Sequence, residues 1–248
     1  MRLTTSAFAL LLLAACAAPE QVEEPLVGAA PRPNSFLDKV TVASTAALTR
    51  AEVEAQFQAL VQGGFDGLGL QRLVAQTADP FSRSRADDVT ASVRAAAEQT
   101  GRVFYVEYDL AGARAGDWAE LLRRDWSELK RVTGSPAYAH QDGRPVVVLR
   151  GVGFMDRPGT VAETMDVIDW LKAQGCYVVG GVPAGWRTGA DTKPNFLSAF
   201  LRLDALQPWS DGAAVTVSAG AASADRAYAA ELGIAYQQLA PIPAVEAE

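Results

Sequence analysis

Short runs of apolar, β-branched residues alternate along this chain with longer amphipathic runs. The short runs fall at residues 39–43, 65–71, 103–109, 145–150, 177–182, 204–207 and 234–239. Their near-continuous apolar character predicts strands buried on both faces, as in parallel sheets. The runs between them carry helix punctuation. Thr49-x-x-Glu52, Asp117-x-x-Glu120 and Thr160-x-x-Glu163 have the spacing of capping boxes. Apolar stripes follow them: Val53, Phe57, Leu60 and Val61; Trp118, Leu122, Trp126 and Leu129; Val161, Met165, Ile168 and Leu171. Pro194 opens a further predicted helix, and Gly101, Gly134, Gly175 and Gly233 follow helical runs.

Alternating strands and helices of this kind predict an α/β fold: a parallel sheet with helices outside it. An open doubly wound sheet carries a phosphate-binding glycine fingerprint after its first strand. Gly67-Leu68-Gly69 and Gly151-Val152-Gly153 lack the third glycine at the required spacing. They read instead as close backbone packing. The preferred architecture is an incomplete (β/α)8 TIM-like barrel of about seven parallel strands with outer helices, an open sheet being the alternative.

The N-terminus follows another pattern. Met1-Arg2 is followed by an unbroken apolar run over residues 7–15, too short to span a bilayer as a helix. It ends in Leu13-Ala14-Ala15-Cys16, the small-residue box that precedes a lipidated cysteine. Residues 1–16 therefore read as a lipoprotein signal with Cys16 as the lipidation site. Residues 17–35, rich in Ala, Pro and Glu, read as a flexible tether. Residues 36–248 read as one barrel domain. Several acyl chains on one cysteine hold a protein to a membrane, because each buried CH2 adds about 0.8 kcal/mol. Ala17, not Asp, follows the cysteine, which favours the outer membrane in the familiar sorting pattern.

Composition narrows the chemistry. The net charge is -7, with 49 % hydrophobic residues. That suits an acidic globular domain and argues against nucleic-acid binding, which needs a basic face. With Cys16 lipidated, Cys176 is left as a buried structural thiol. The single histidine, His140, precedes the Asp142-Gly143 turn and belongs at the structural rim. No metal site, cofactor motif, nucleophile elbow or phosphate loop is present in the sequence. Any chemistry then rests on carboxylates, as in glycoside hydrolysis.

In a β/α-barrel, reactive groups collect where strands end. Those positions hold Gln71, Arg72, Tyr108, Asp109, Arg150, Trp186, Arg187, Pro208 and Trp209. Indoles and a phenol suit the C–H faces of sugars, and amides, guanidinium groups and a carboxylate suit their hydroxyls. Asp109 is the candidate catalytic carboxylate, with Glu107 and Asp66 as further acids. Tyr108, Asp109, Trp186, Arg187 and Trp209 are expected to share one mouth. Blander roles stand beside these. Trp186 or Trp209 could cap the core, Asp109 could stabilise a loop, and Arg72 or Arg150 could pair with Asp66 or Asp109.

Several stretches resemble the bacterial glycoside hydrolase 71/99-like proteins. They are Gly64 to Arg72 ("G-I-D-G-V-x-x-Q-R"), Tyr105 to Gly112 ("Y-D-L-S-G"), Asp125-Trp126, and Ser135 to Val147. Gly151 to Phe154 ("G-I-G-F"), Gly181 to Thr188 ("G-V-P-x-x-W-R-T") and Asp204 to Trp209 ("D-x-x-x-P-W") follow in order. The resemblance implies a barrel acting on α-linked glycans, with Asp109, Tyr108 and Trp186-Arg187 as glycan contacts. Its paired late acids, Glu-x-x-Glu before Gly-Thr, find no match: Glu246 and Glu248 lie in an Ala-rich tail. The sequence therefore reads as a family member truncated before the acid pair. It is expected to bind polysaccharide or oligosaccharide with reduced or lost hydrolysis. The alternatives are an active glycosidase using rim carboxylates, and a non-catalytic structural envelope protein with a partner chain at the open barrel edges.

Overall fold

The computed structural model describes residues 40–43, 49–210, 213–214 and 219–238. Cys16 and the tether over 17–35 lie outside the described residues. Seven parallel strands are β1 (Val40–Ala43), β2 (Gly67–Leu73), β3 (Val103–Asp109), β5 (Arg144–Arg150), β6 (Tyr177–Pro183), β7 (Ala205–Ser210) and β9 (Ala235–Tyr236). Two short antiparallel strands, β4 (His140–Gln141) and β8 (Ala213–Ala214), add to β5 and β7. The helices are α1 (Arg50–Gln62), α2 (Pro80–Thr100), α3 (Trp118–Leu129), α4 (Val161–Ala173), α5 (Leu197–Phe200) and α6 (Ala219–Glu231).

The parallel strands neighbour one another in chain order, β1-β2-β3-β5-β6-β7-β9. A doubly wound sheet would reverse direction at a switch point; this one never does. Among the described residues, β1 pairs only with β2, and no pairing joins β9 to β1. The architecture is an incomplete (β/α)8 barrel.

The helix starts follow the sequence with two corrections. Thr49 and Thr160 form full capping boxes with Glu52 and Glu163. Asp117 forms none: its backbone sits at φ -121°, ψ -18°, not in the extended region from which a side chain reaches the third helical amide. Pro194 does not open α5, which starts at Leu197. Asn195 takes a left-handed φ of 64° and breaks any helix begun at the proline. Val61, assigned to the buried stripe of α1, is exposed.

Gly69 permits the tight interior. A Cβ there would come within 2.8 Å of the Tyr105 ring on the next strand. Cys176 is buried, and burial pushes its thiol up to about 12, which keeps it an unreactive thiol. His140 lies in a hairpin at the N-terminal end of β5, across the Asp142-Gly143 turn and far from the strand C-termini.

Candidate functional site

Successive strand residues point to opposite faces, so a period of two decides which rim residues look into the barrel. Gln71 pairs in register with Glu107, and Asp109 with Arg150, which pairs with Gly181 and through it with Gln207. These residues form two polar layers inside the barrel, with Trp209 above them beside Pro183.

The layers are linked. Gln71 Nε2 donates to Asp109 Oδ2 at 2.5 Å. The amide of Ala111 donates to Asp109 Oδ1 at 2.7 Å, so the carboxylate also stabilises its own loop. Arg150 Nη1 lies 3.4 Å from Glu107 Oε1 and 3.7 Å from Asp109 Oδ2. The Arg150 guanidinium stacks 3.9 Å from the centre of the Trp209 ring. The Trp209 indole donates to Gln207 Oε1 at 2.9 Å, and Gln207 Nε2 donates to Gln237 Oε1 at 2.8 Å. Tyr105 reaches Gln207 from below. TIM barrels ordinarily fill this volume with Val, Ile and Leu. An amide–carboxylate–guanidinium network in their place marks a polar mouth.

Burial raises the Glu107 carboxyl to about 7, with the Arg150 charge opposing and the Asp109 charge adding to the rise. Glu107 is 0 % exposed, and its Oε2 has no hydrogen-bond partner among the described residues.

Four predicted rim residues belong elsewhere. Arg72 follows Gln71 and points outward, under the helices. Its Nε and Nη2 donate to the two oxygens of Asp125 on α3, both at 2.7 Å, and Nη2 also reaches Asp87 on α2 at 2.7 Å. Burial pulls the Arg72 guanidinium down, but the Asp125 and Asp87 charges outweigh it and hold the cation firmly. Tyr108 points the same way and donates to Asp125 Oδ2 at 2.8 Å, its ring set edge-on to Trp126. Trp186 and Arg187 lie beyond the end of β6, where the chain has turned outward. Trp186 packs on Phe200 and Tyr228, and Arg187 Nε bonds Asp225 on α6 at 2.7 Å. The shared mouth therefore holds Asp109 and Trp209, with Gln71 and Arg150, but not Tyr108, Trp186 or Arg187. Asp66 precedes β2 and sits at the opposite end of its strand from Gln71.

Beside Trp209 opens a cleft of about 330 Å3 lined by Phe154, Met155, Asp156, Ala184 and Asp191. Its walls are the loops after β5 and β6. Lys193 ties them together, its amide donating to Gly153 O at 2.8 Å and its ammonium to Gly159 O at 2.9 Å. A larger groove, of about 1000 Å3, runs between α2 and α3 on the outer face. It is lined by charges of both signs and is separate from the strand ends.

Gln207, Gln237 and the outward role of Asp125 are not among the residues expected from sequence. A signal existed for Gln207 alone: polar side chains at alternate positions of an apolar strand, here Gln207 and Trp209, share a face.

No family model and no curated protein matches the sequence. Solved structures match it in fold. A GH99 endo-alpha-mannosidase of Bacteroides thetaiotaomicron superposes with a TM-score of 0.57 at 8 % identity, covering 81 % of this chain and 68 % of that one. The likeness is one of fold. A second structure of a GH99 endo-alpha-mannosidase from the same organism gives a TM-score of 0.51 at 12 % identity. That match covers 76 % of this chain and 52 % of the other, so this chain spans about half its length. At these identities the likeness carries the fold alone.

Proposed function

We propose that this protein binds a polysaccharide or oligosaccharide at the C-terminal mouth of its barrel, with hydrolysis reduced or lost. The observation that carries the reading is the interior polar network of Gln71, Asp109, Arg150 and Gln207 beneath Trp209, opening on the 330 Å3 cleft. Donors and acceptors at fixed positions suit sugar hydroxyls, and Trp209, Phe154 and Met155 offer apolar surface to a pyranose face. The glycosidase-like fold supports a carbohydrate ligand, and the ordered motifs support a distant relationship to the glycoside hydrolase 71/99-like proteins.

Hydrolysis needs two carboxyls on opposite sides of the scissile bond. Glu107 and Asp109 stand on one strand, on one face, one beneath the other, and both are committed to Arg150. That arrangement supports binding over turnover. A second reading, an active glycosidase, has one observation in its favour: Glu107 is raised to about 7, the range of a general acid.

The experiment is isothermal titration with α-mannan and α-glucan oligosaccharides, paired with a reducing-sugar assay. The expected result is affinity without sugar release, weakened by Asp109→Asn. Release lost in Asp109→Asn would support the enzyme. No affinity for any glycan would refute the carbohydrate reading and leave a structural role. We also propose that Cys16 carries the lipid that anchors the protein to the cell envelope, in the outer membrane. The Leu13-Ala14-Ala15-Cys16 box supports this. Metabolic labelling with a fatty-acid analogue, lost in Cys16→Ser, tests it.

A further inference from the structure

The Glu107 carboxyl is hard to explain as a stability element. It sits on β3, fully buried, where its neighbours Val106 on the same strand and Val148 in the next are ordinary core residues. Taking a carboxyl out of water is costly unless both oxygens are satisfied. Among the described residues, Oε1 has one partner, Arg150 Nη1 at 3.4 Å, and Oε2 has none. A valine would pack this position without that cost.

Its geometry suggests another role. Arg150 lies between three groups: Glu107 below, Asp109 beside it, and the Trp209 ring at 3.9 Å. The arrangement is made room for on β6. A Cβ at Gly181 would fall 2.9 Å from Arg150 Cα and 3.1 Å from the Trp209 indole nitrogen. The Trp209 indole nitrogen is held by Gln207. A guanidinium flat on an indole forms a rigid platform.

We propose that Glu107 is a positioning residue, whose buried carboxyl holds Arg150 against Trp209 and so sets the floor of the mouth. The proposal deepens the carbohydrate reading: the floor is the surface on which the glycan rests. The groups facing Glu107 are Arg150 from β5, Asp109 and Tyr105 from its own strand, and the neutral Gln71 in register on β2. Burial raises the Glu107 carboxyl to about 7, so near neutral pH it passes between a neutral acid and a charged partner of Arg150.

The test observes Arg150 directly and needs no ligand. In 15N-arginine-labelled protein, the Arg150 Nε–H resonance is assigned by its loss in Arg150→Lys. Ring current from Trp209 is expected to displace it upfield, and Trp209→Phe to reduce that displacement. In the unaltered protein the resonance is expected to move with a midpoint near pH 7 across about pH 5 to 9. In Glu107→Gln it is expected to stay fixed. A resonance that does not move with pH in the unaltered protein overturns the proposal, whether or not the variant folds. A resonance that titrates unchanged in Glu107→Gln overturns it too. Glycan affinity is measured separately, with about a tenfold loss expected in Glu107→Gln. Failure to bind any glycan would sink the carbohydrate reading while leaving the positioning result standing.

Discussion

At the residue scale, Asp125 does more for the fold than any rim residue. Its two oxygens accept from Arg72 in a forked pair and from the Tyr108 hydroxyl, joining β2, β3 and α3 in one buried contact. Removing Asp125 strips the buried Arg72 guanidinium of its forked partner and leaves it the half-exposed Asp87 carboxylate. Asp125→Ala is expected to lower unfolding stability by about 3–5 kcal/mol, read from urea denaturation. Trp186→Ala, which empties a site between Phe200 and Tyr228, is expected to cost about 3–5 kcal/mol while leaving the glycan affinity of the folded fraction unchanged. Glu107 gives a pH signature. Its carboxyl is raised on folding, so its contribution to stability is fully present below its unfolded value, near 4.5, and is lost as pH rises through about 7. The loss is about 3 kcal/mol, with no solvent screening to reduce it, since the group is fully buried. The difference in unfolding free energy between the protein and Glu107→Gln, followed over this pH window, is expected to trace that fall. The lowered carboxyls of Glu52, Asp79 and Glu163 act in the opposite sense at more acid pH and cancel in the difference.

At the scale of elements, local chemistry fixes where helices begin. Thr160→Ala removes the oxygen that accepts from the Glu163 amide and is expected to cost about 1 kcal/mol by thermal or urea unfolding. The same elements show what was legible beforehand. All seven strand runs correspond to the seven parallel strands, because buried parallel strands are apolar on both faces and stand out against amphipathic helices. Two of three capping boxes formed, and the third failed on a backbone angle that spacing cannot reveal. The candidate site was half legible. Gln71, Asp109, Arg150 and Trp209 meet at one end of the barrel, as strand-end positions imply. Arg72 and Tyr108 do not join them, since adjacent strand residues face opposite ways and only one of each pair can enter the barrel. Trp186 and Arg187 lie past the strand end, where no periodicity constrains direction. Gln237 on the last described stretch closes the amide chain with Gln207, a contact across 30 positions that no local pattern announces.

At the scale of the whole molecule, seven strands leave β1 and β9 as edges among the described residues. Unpaired sheet edges invite pairing, and we propose a partner chain there as the structural alternative to glycan binding. What distinguishes this barrel from a scaffold is its interior. A barrel kept only for structure would gain from apolar layers, whereas this one keeps Gln71, Glu107, Asp109, Arg150 and Gln207 inside. We propose that this polar mouth binds sugar. The most direct measurement is the affinity of the purified protein for an α-mannan oligosaccharide by isothermal titration, compared with Asp109→Asn and Trp209→Phe. Saturable binding is expected, falling by at least about tenfold in each variant while their circular dichroism spectra are unchanged. Binding that survives both substitutions in folded protein, or no binding at all, would contradict it.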